Sequence, residues 1–393
     1  MQSLAVTART VITACGKGQQ DLLEALQQGR SGLRRQRIPG LGFESWIGKV
    51  GAVDEVEFKP DLQDFKCRNN QLAQMALDHD NFLSSVESAN NRYGEERIGL
   101  FIGTSTSGIA ETEKAYRAVQ QDADRLPDDF KFMETHNIAS LLDYVQQVLG
   151  LQGPGHTIST ACSSSAKVFA AAYRSIACGQ CDAAVVGGVD SLCLTTLYGF
   201  NALQLISDGL CKPFDINRSG INIGEAAGFV LLEPDDAANR QLKLKGYGES
   251  SDAYHMSSPH PEGRGAVQAI TRALENAALQ ADDIDYINLH GTATLNNDSA
   301  EAQGVFKIFG GETLCSSTKG FTGHTLGAAG ITEAIITLLA LEYDFVPGNL
   351  NLERYDPEVR LNIPQENQKA RLTNVMSNNF GFGGTNCSLI FGW

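Results

Sequence analysis

His156–Cys181 reads HTISTACSSSAKVFAAAYRSIACGQC. The β-branched Thr157 and Ile158, a cluster of small residues and an alanine-rich run predict a short strand, a turn and a helix. Cys162 stands where the strand ends and the helix begins. The free amide N–H groups of a first helical turn carry partial positive charge, which favours thiolate over thiol. Ala161, Ser163, Ser164 and Ser165 are small enough for a substrate carbonyl to approach the sulfur. Taken locally, the same cysteine reads equally well as a small buried hydrophobe. The rest of the chain has to decide.

At 393 residues the chain has room for two domains, or for one large domain built from two similar halves. Hydrophobic residues make up 42% and charged residues 20%, a globular composition. A net charge of −15 argues against a nucleic-acid protein, which needs a basic footprint, but a local basic patch can still dock an acidic partner. Nine irregularly spaced cysteines and an opening, MQSLAVTARTVITACGKG, without the features of a secretory signal point to a reducing compartment. The longest apolar region, Ile331–Leu341, is too short to span a bilayer. A soluble cytoplasmic protein without membrane insertion is expected.

Outward from Cys162, strands and helices alternate. Strands are predicted over Leu4–Thr13, Ile98–Gly103, Asp182–Gly188 and Glu225–Glu233, with one long helix over Lys66–Glu87 and a mostly helical region over 111–150 broken near Pro127. The second half repeats the rhythm. A helix over 264–280 precedes a strand at Asp285–His290, a loop GTATLNND and a helix near 299–309. A strand at Thr313–Ser317, a helix over Ile331–Leu341 and two strand-like runs around GFGGT close the chain. GEAAGFVLLE ends the first half and GFGGTNCSLIF the second, which suggests an internal duplication of 1–233 and 234–393. Such alternation predicts α/β layers, whose sites collect beyond the carboxyl ends of strands. Cys162, His290, the Lys319–His324 loop and the Gly381–Asn386 loop all follow predicted strands.

Of seven histidines, two lie in loops of unusual composition: His290 before Gly-Thr-Ala-Thr, and His324 five residues beyond Lys319. TACSSS, HGTATLNND, TKGFTGHTLGAAG and NNFGFGGTN, in this order, resemble the motifs of the β-ketoacyl–acyl-carrier-protein synthases of the thiolase-like superfamily. The resemblance spans nearly the whole chain and is weakest over the first 60 residues or so. It implies a five-layer αβαβα fold of two duplicated halves and an acyltransferase of the elongating, Cys-His-His type. By similarity, Cys162 is the nucleophile, His290 and His324 stabilise the enolate formed when malonyl loses CO₂, and Lys319 and Glu301 support them. Phe382 contributes a backbone N–H to a second donor site and gates the acyl pocket, and Thr292 and Thr294 hydrogen-bond the phosphopantetheine arm. No metal or redox cofactor is implied.

The family docks acidic acyl carrier protein on basic residues, for which Lys66 and Arg68 are the expected pair. It also implies a homodimer, or a heterodimer with a chain-length-factor-like homologue. Leu295 stands where the family commonly has proline, so a looser loop beside His290 is expected. The loop Arg218–Ile221 lacks the usual acidic and aromatic residues, which favours a polyketide, polyene or aryl-polyene pathway over housekeeping fatty-acid synthesis. The rival reading is a pocket-shaping, chain-length-factor-like subunit with little activity alone; such partners usually lack the cysteine that this chain keeps. Cys178 and Cys181 read as a helix end and a turn rather than a redox or zinc pair, and Cys387 as structural.

Overall fold

The computed structural model describes residues 1–119, 125–236 and 240–393. Its first five principal strands are β1 (Leu4–Thr13), β2 (Ile98–Gly103), β3 (Gly155–Ile158), β4 (Ala183–Asp190) and β5 (Ala226–Pro234). The next five are β6 (Lys243–Ser251), β7 (Tyr286–Asn288), β8 (Leu314–Ser316), β9 (Asn374–Gly381) and β10 (Thr385–Gly392). Spatially the first set runs β1-β5-β4-β2-β3 and the second β6-β10-β9-β7-β8, the same order twice. The senses repeat too: two antiparallel pairings followed by two parallel ones in each set. Among the described residues the two sets meet edge to edge at Leu4↔Leu244 and Ala5↔Lys243, with the Val6 N–H donating to the Leu242 carbonyl beside them.

The helices that cover them are α1 (Arg68–Leu77), α2 (Phe82–Tyr93), α3 (Ser140–Leu149), α4 (Ser164–Ala177), α5 (Arg264–Ala277), α6 (Leu295–Phe309) and α7 (Ala329–Glu342). Side-chain alternation along the strands sorts them into layers. Phe229 and Leu231 of β5 join a core with α1, α2 and α3, while Val230 and Leu232 face the opposite core, which holds α4 and α7. In the second set Ile390 of β10 packs with α5 and α6, and Leu389 and Phe391 turn back toward α4 and α7. The result is αβαβα, with α4 and α7 as the middle layer. Phe169 of α4 meets Phe391 edge-on at 5.7 Å, a pair worth about 0.5–1.5 kcal/mol beyond its buried area.

Burial explains why α7 is apolar on every side but for Glu333 and two threonines: it lies between two sheets. No helix among the described residues is long and apolar enough to cross a membrane.

The structure corrects three expectations. Lys66–Glu87 is not one helix; α1 ends at Leu77 and α2 begins at Phe82, with Asp80 and Asn81 in left-handed backbone between them. There the Asp80 carboxylate accepts the Gln19 N–H at the start of the helix Gln19–Gln27, a distant contact that interrupts the local helical pattern. Leu295 is not in a loop but opens α6 directly after Thr294. At a first helical position the N–H needs no intrahelical partner, so proline and leucine both fit. Finally, β4 runs two residues past Gly188, to Asp190. In the region expected to be mostly helical, Ile109–Val119, Phe132–Thr135 and Ser140–Leu149 are helices; residues 120–124 lie outside the described residues.

Candidate active site

Because the strand order repeats, the crossovers β3-to-α4 and β8-to-α7 are equivalent, and the middle layer brings their helix starts together. The Ile331 N–H donates to Ser165 Oγ at 2.9 Å. A Cβ at Gly330 would lie 2.2 Å from the Ala166 nitrogen, so this approach requires glycine. Cys162 precedes one helix and His324 the other, and Cys162 Sγ lies 3.0 Å from His324 Nε2. Ala161 takes φ +51, a left-handed turn that presents the cysteine.

His290 follows β7, and its ring crosses that of His324 at 86° with centroids 5.4 Å apart. Both rings are buried. Their partners assign the tautomers. Leu326 N–H donates to His324 Nδ1 at 3.2 Å, and Lys319 Nζ faces His290 Nδ1 at 3.3 Å. With both Nδ1 atoms accepting, each neutral ring carries its proton on Nε2. Burial and the Lys319 cation hold both histidines well below the ordinary imidazole pKa, so they are neutral N–H donors at neutral pH. Cys162 Sγ and imidazole nitrogens of His290 and His324 lie within 4.8 Å of one another, a spacing a metal could bridge. Metal ligation through Nε2 would put the ring protons on Nδ1, directly against the Leu326 and Lys319 donors, so these partners oppose it.

Lys319 is 1% exposed, pairs with Glu333 of α7 and also donates to the His290 carbonyl. Asn379 donates to the other Glu333 oxygen. Burial pushes the Glu333 carboxyl up and Lys319 pulls it back, as a desolvated ion pair requires. Glu333, not Glu301, is therefore the acid that meets the lysine. Glu301 instead accepts the backbone N–H groups of His290 and Gly291 at 2.7 and 2.8 Å, and burial pushes its carboxyl up to about 8. One turn earlier, buried Asp298 accepts the N–H groups of Ala293 and Phe214 at 3.2 and 2.9 Å. The two carboxylates of α6 thus clamp the loop that carries His290.

A cavity of about 340 Å³ joins Cys162, both histidines, Phe382, Thr292 and Thr294. Phe382 lines the cavity beside Cys162, where its backbone N–H draws the thiol pKa down, and its ring packs on Phe200 at 5.6 Å. The hydroxyls of Thr292 and Thr294 lie 2.9 Å apart. Lys66 and Arg68 do not line the cavity. Lys66 pairs with Glu57 at 3.2 Å. The Arg68 guanidinium donates to Glu225, which is fully buried, and to Asp54, leaving its side chain 13% exposed.

The sequence reading missed Glu333 and Asp298. Glu333 carried a signal, a lone charge inside the apolar run Ile331–Leu341.

The helix start alone implies an acidic thiol at Cys162, but the structure reverses the direction. Burial pushes the thiol up to about 11, against the opposing pull of Lys319 and the Phe382 N–H. Iodoacetamide alkylation of Cys162 is therefore expected to rise about tenfold per pH unit from pH 7 to 10, following the thiolate fraction. Subtracting the Cys162→Ala signal removes the exposed Cys178. A plateau near pH 8 would contradict the burial argument.

Residues 1–238 match the family described as beta-ketoacyl synthase, N-terminal domain, and residues 242–353 its C-terminal domain. A 3-oxoacyl-[acyl-carrier-protein] synthase 2 of Vibrio harveyi is 31% identical, covering 98% of this chain and 97% of that protein. A mitochondrial 3-oxoacyl-[acyl-carrier-protein] synthase of Arabidopsis thaliana is 37% identical over 76% of this chain and 68% of its own. Among solved structures, a chain of the complex of a ketosynthase with its chain length factor from Xenorhabdus doucetiae superposes with a TM-score of 0.91. It is 38% identical and covers 100% of this chain and 98% of its own. The ishigamide ketosynthase/chain length factor gives 0.90 at 26% identity, covering 100% and 99%. Matched in both halves, and over 97% of the Vibrio harveyi relative, the chain belongs to the β-ketoacyl synthases, acyltransferases of the thiolase-like fold.

Proposed function

We propose that the chain extends an acyl group held on Cys162 by decarboxylative condensation with malonyl carried on acyl carrier protein. One observation carries this reading: a thiol, two imidazole Nε2–H donors and the Phe382 N–H converge in one cavity. The Cys162 sulfur gives up its thiol proton as it attacks the acyl thioester carbonyl, the carrier C–S bond breaks, and the carrier sulfur leaves as the thiol with that proton. Donors at the Phe382 and Cys162 N–H groups fit the oxyanion of that step. Malonyl thioester then breaks its C–CO₂ bond, and the electron pair becomes an enolate whose oxygen lies against the two Nε2–H groups. The enolate carbon attacks acyl-Cys162, forming the C–C bond and expelling the thiolate. Thr292 and Thr294 suit the arm of the carrier, and Phe382 against Phe200 suits a gate to the acyl chain. The cycle calls on no metal or redox cofactor, and a cytoplasmic setting fits its carrier-bound substrates.

We assign the pathway to polyketide or polyene extension and the partner to a second ketosynthase-like chain, a homodimer or a chain-length-factor pairing. The likeness to two solved ketosynthase–chain length factor complexes supports both. The retained thiol, histidines and Lys319–Glu333 pair favour the catalytic member over a pocket-shaping subunit. Of the two expected docking cations we keep Lys66, since Arg68 is engaged by buried Glu225.

The test is intact mass after exposure to a panel of acyl carrier protein thioesters, saturated and polyunsaturated, alone and with an equimolar chain-length-factor homologue. An acyl adduct that turns over on adding malonyl carrier is expected, with polyunsaturated donors preferred. No adduct under any condition would sink the catalytic reading, and normal turnover of saturated chains alone would sink the pathway.

A further inference from the structure

We infer that Asp190 is a positioning residue for His324, setting the ring proton that the decarboxylation step uses. The inference rests on the histidine roles proposed above. Asp190 ends β4 and is fully buried. One carboxylate oxygen accepts from Thr104 Oγ1 at 2.7 Å, Ser105 N at 2.8 Å and both the N and Oγ1 of Thr106 at 2.9 Å. The other accepts from the Ser105 hydroxyl and from the Gly327 N–H. The last bond crosses from the first half of the chain to the turn that carries His324.

That turn is tight. Leu326 sits at φ +55, and a Cβ on Gly327 would lie 2.7 Å from the Asp190 carboxylate. Holding the Gly327 N–H fixes the preceding peptide, and the Leu326 N–H then points at His324 Nδ1 at 3.2 Å. An Nδ1 that accepts a backbone N–H leaves the ring proton on Nε2, which lies 3.0 Å from Cys162 Sγ. The chain of contacts therefore runs from Asp190 through Gly327 and Leu326 to the working nitrogen of His324. Asp190 touches neither substrate nor reacting atoms in this scheme.

Asp190→Asn probes the link because of the donors' geometry. If the new NH₂ replaced the first oxygen, it would oppose the Ser105 and Thr106 backbone N–H groups, which cannot turn round. If it replaced the second, the Ser105 hydroxyl could rotate to accept, leaving only the Gly327 N–H opposed. The second orientation costs less and releases the His324 turn specifically.

The experiment compares wild type with Asp190→Asn in two half-reactions, acyl uptake on Cys162 and release of CO₂ from malonyl carrier protein. Acyl uptake within about threefold of wild type is expected, with CO₂ release lowered up to about 100-fold in kcat and little change in KM, as for a misaimed catalytic group. Imidazole ¹⁵N spectra give a readout that lost packing alone would not move. In wild type His324 should show protonated Nε2 and bare Nδ1, and in Asp190→Asn a tautomer mixture. Equal CO₂ release by the folded variant, or a wild-type His324 protonated on Nδ1, would overturn the assignment. The wild-type spectrum decides even if the variant does not fold. Failure of wild type to release CO₂ would instead overturn the condensation reading on which the assignment rests.

Discussion

Cys162→Ala is expected to take up no acyl group from any thioester donor and to lose condensation by at least roughly 10⁴-fold, the scale seen when a covalent nucleophile is removed. Among the described residues Cys162 is the one thiol lining the cavity. The hydroxyls beside it, Thr292 and Thr294, are hydrogen-bonded to each other. Neither can replace a sulfur that serves as both nucleophile and leaving group. The fold should survive, because Ala removes one buried sulfur and no charge, and the two N–H groups that lose it as a neighbour, His324 Nε2–H and the Phe382 N–H, both line the cavity. Decarboxylation of malonyl carrier protein should persist in this variant, since His290, His324, Lys319 and Glu333 are untouched. Intact mass, CO₂ release and a thermal melt on one preparation check all three. An acyl adduct on Cys162→Ala would place the nucleophile elsewhere.

The parts of the site that were legible in the sequence are those with local signatures. Cys162 stands at a strand-to-helix junction, and His290 and His324 sit in glycine- and threonine-rich loops, so composition within a few residues marked each one. β2 was read to the residue because a continuous apolar run is what a strand buried on both faces requires. What escaped depends on distant partners. The break between α1 and α2 is set by Asp80 capping a helix about sixty residues earlier in the chain. Arg68 reads as a free surface cation until Glu225, far along the chain, is placed beside it. Glu333 takes the role expected of Glu301 because the partner of Lys319 is fixed by the packing of α7 between two sheets, which no local pattern encodes. The elevated Cys162 pKa has the same origin: the helix start is local, but the burial that outweighs it comes from residues of both halves that close over the sulfur.

The remaining prediction separates the two histidines from the thiol. His290→Ala should still take up acyl groups at close to the wild-type rate, because the His290 ring contacts the His324 and Phe380 rings and Lys319 rather than the sulfur. Its condensation rate should fall about 10²–10³-fold, the usual loss for one oxyanion donor. His324→Ala should lose condensation by a similar factor and also slow acyl uptake, because His324 Nε2 lies 3.0 Å from Cys162 Sγ. The double variant should lose little more than either single one, as expected for donors that act on one oxygen. The pH profile distinguishes this donor role from acid catalysis. Burial and Lys319 hold both rings neutral well below pH 6.5. A neutral Nε2–H keeps its proton as pH rises through 6.5, so wild-type CO₂ release should stay flat from about pH 6 to 8. An imidazolium acid would instead lose its proton over that interval and the rate would fall with it. A falling profile that flattens in His290→Ala or His324→Ala would identify that ring as a charged acid and refute the neutral-donor scheme.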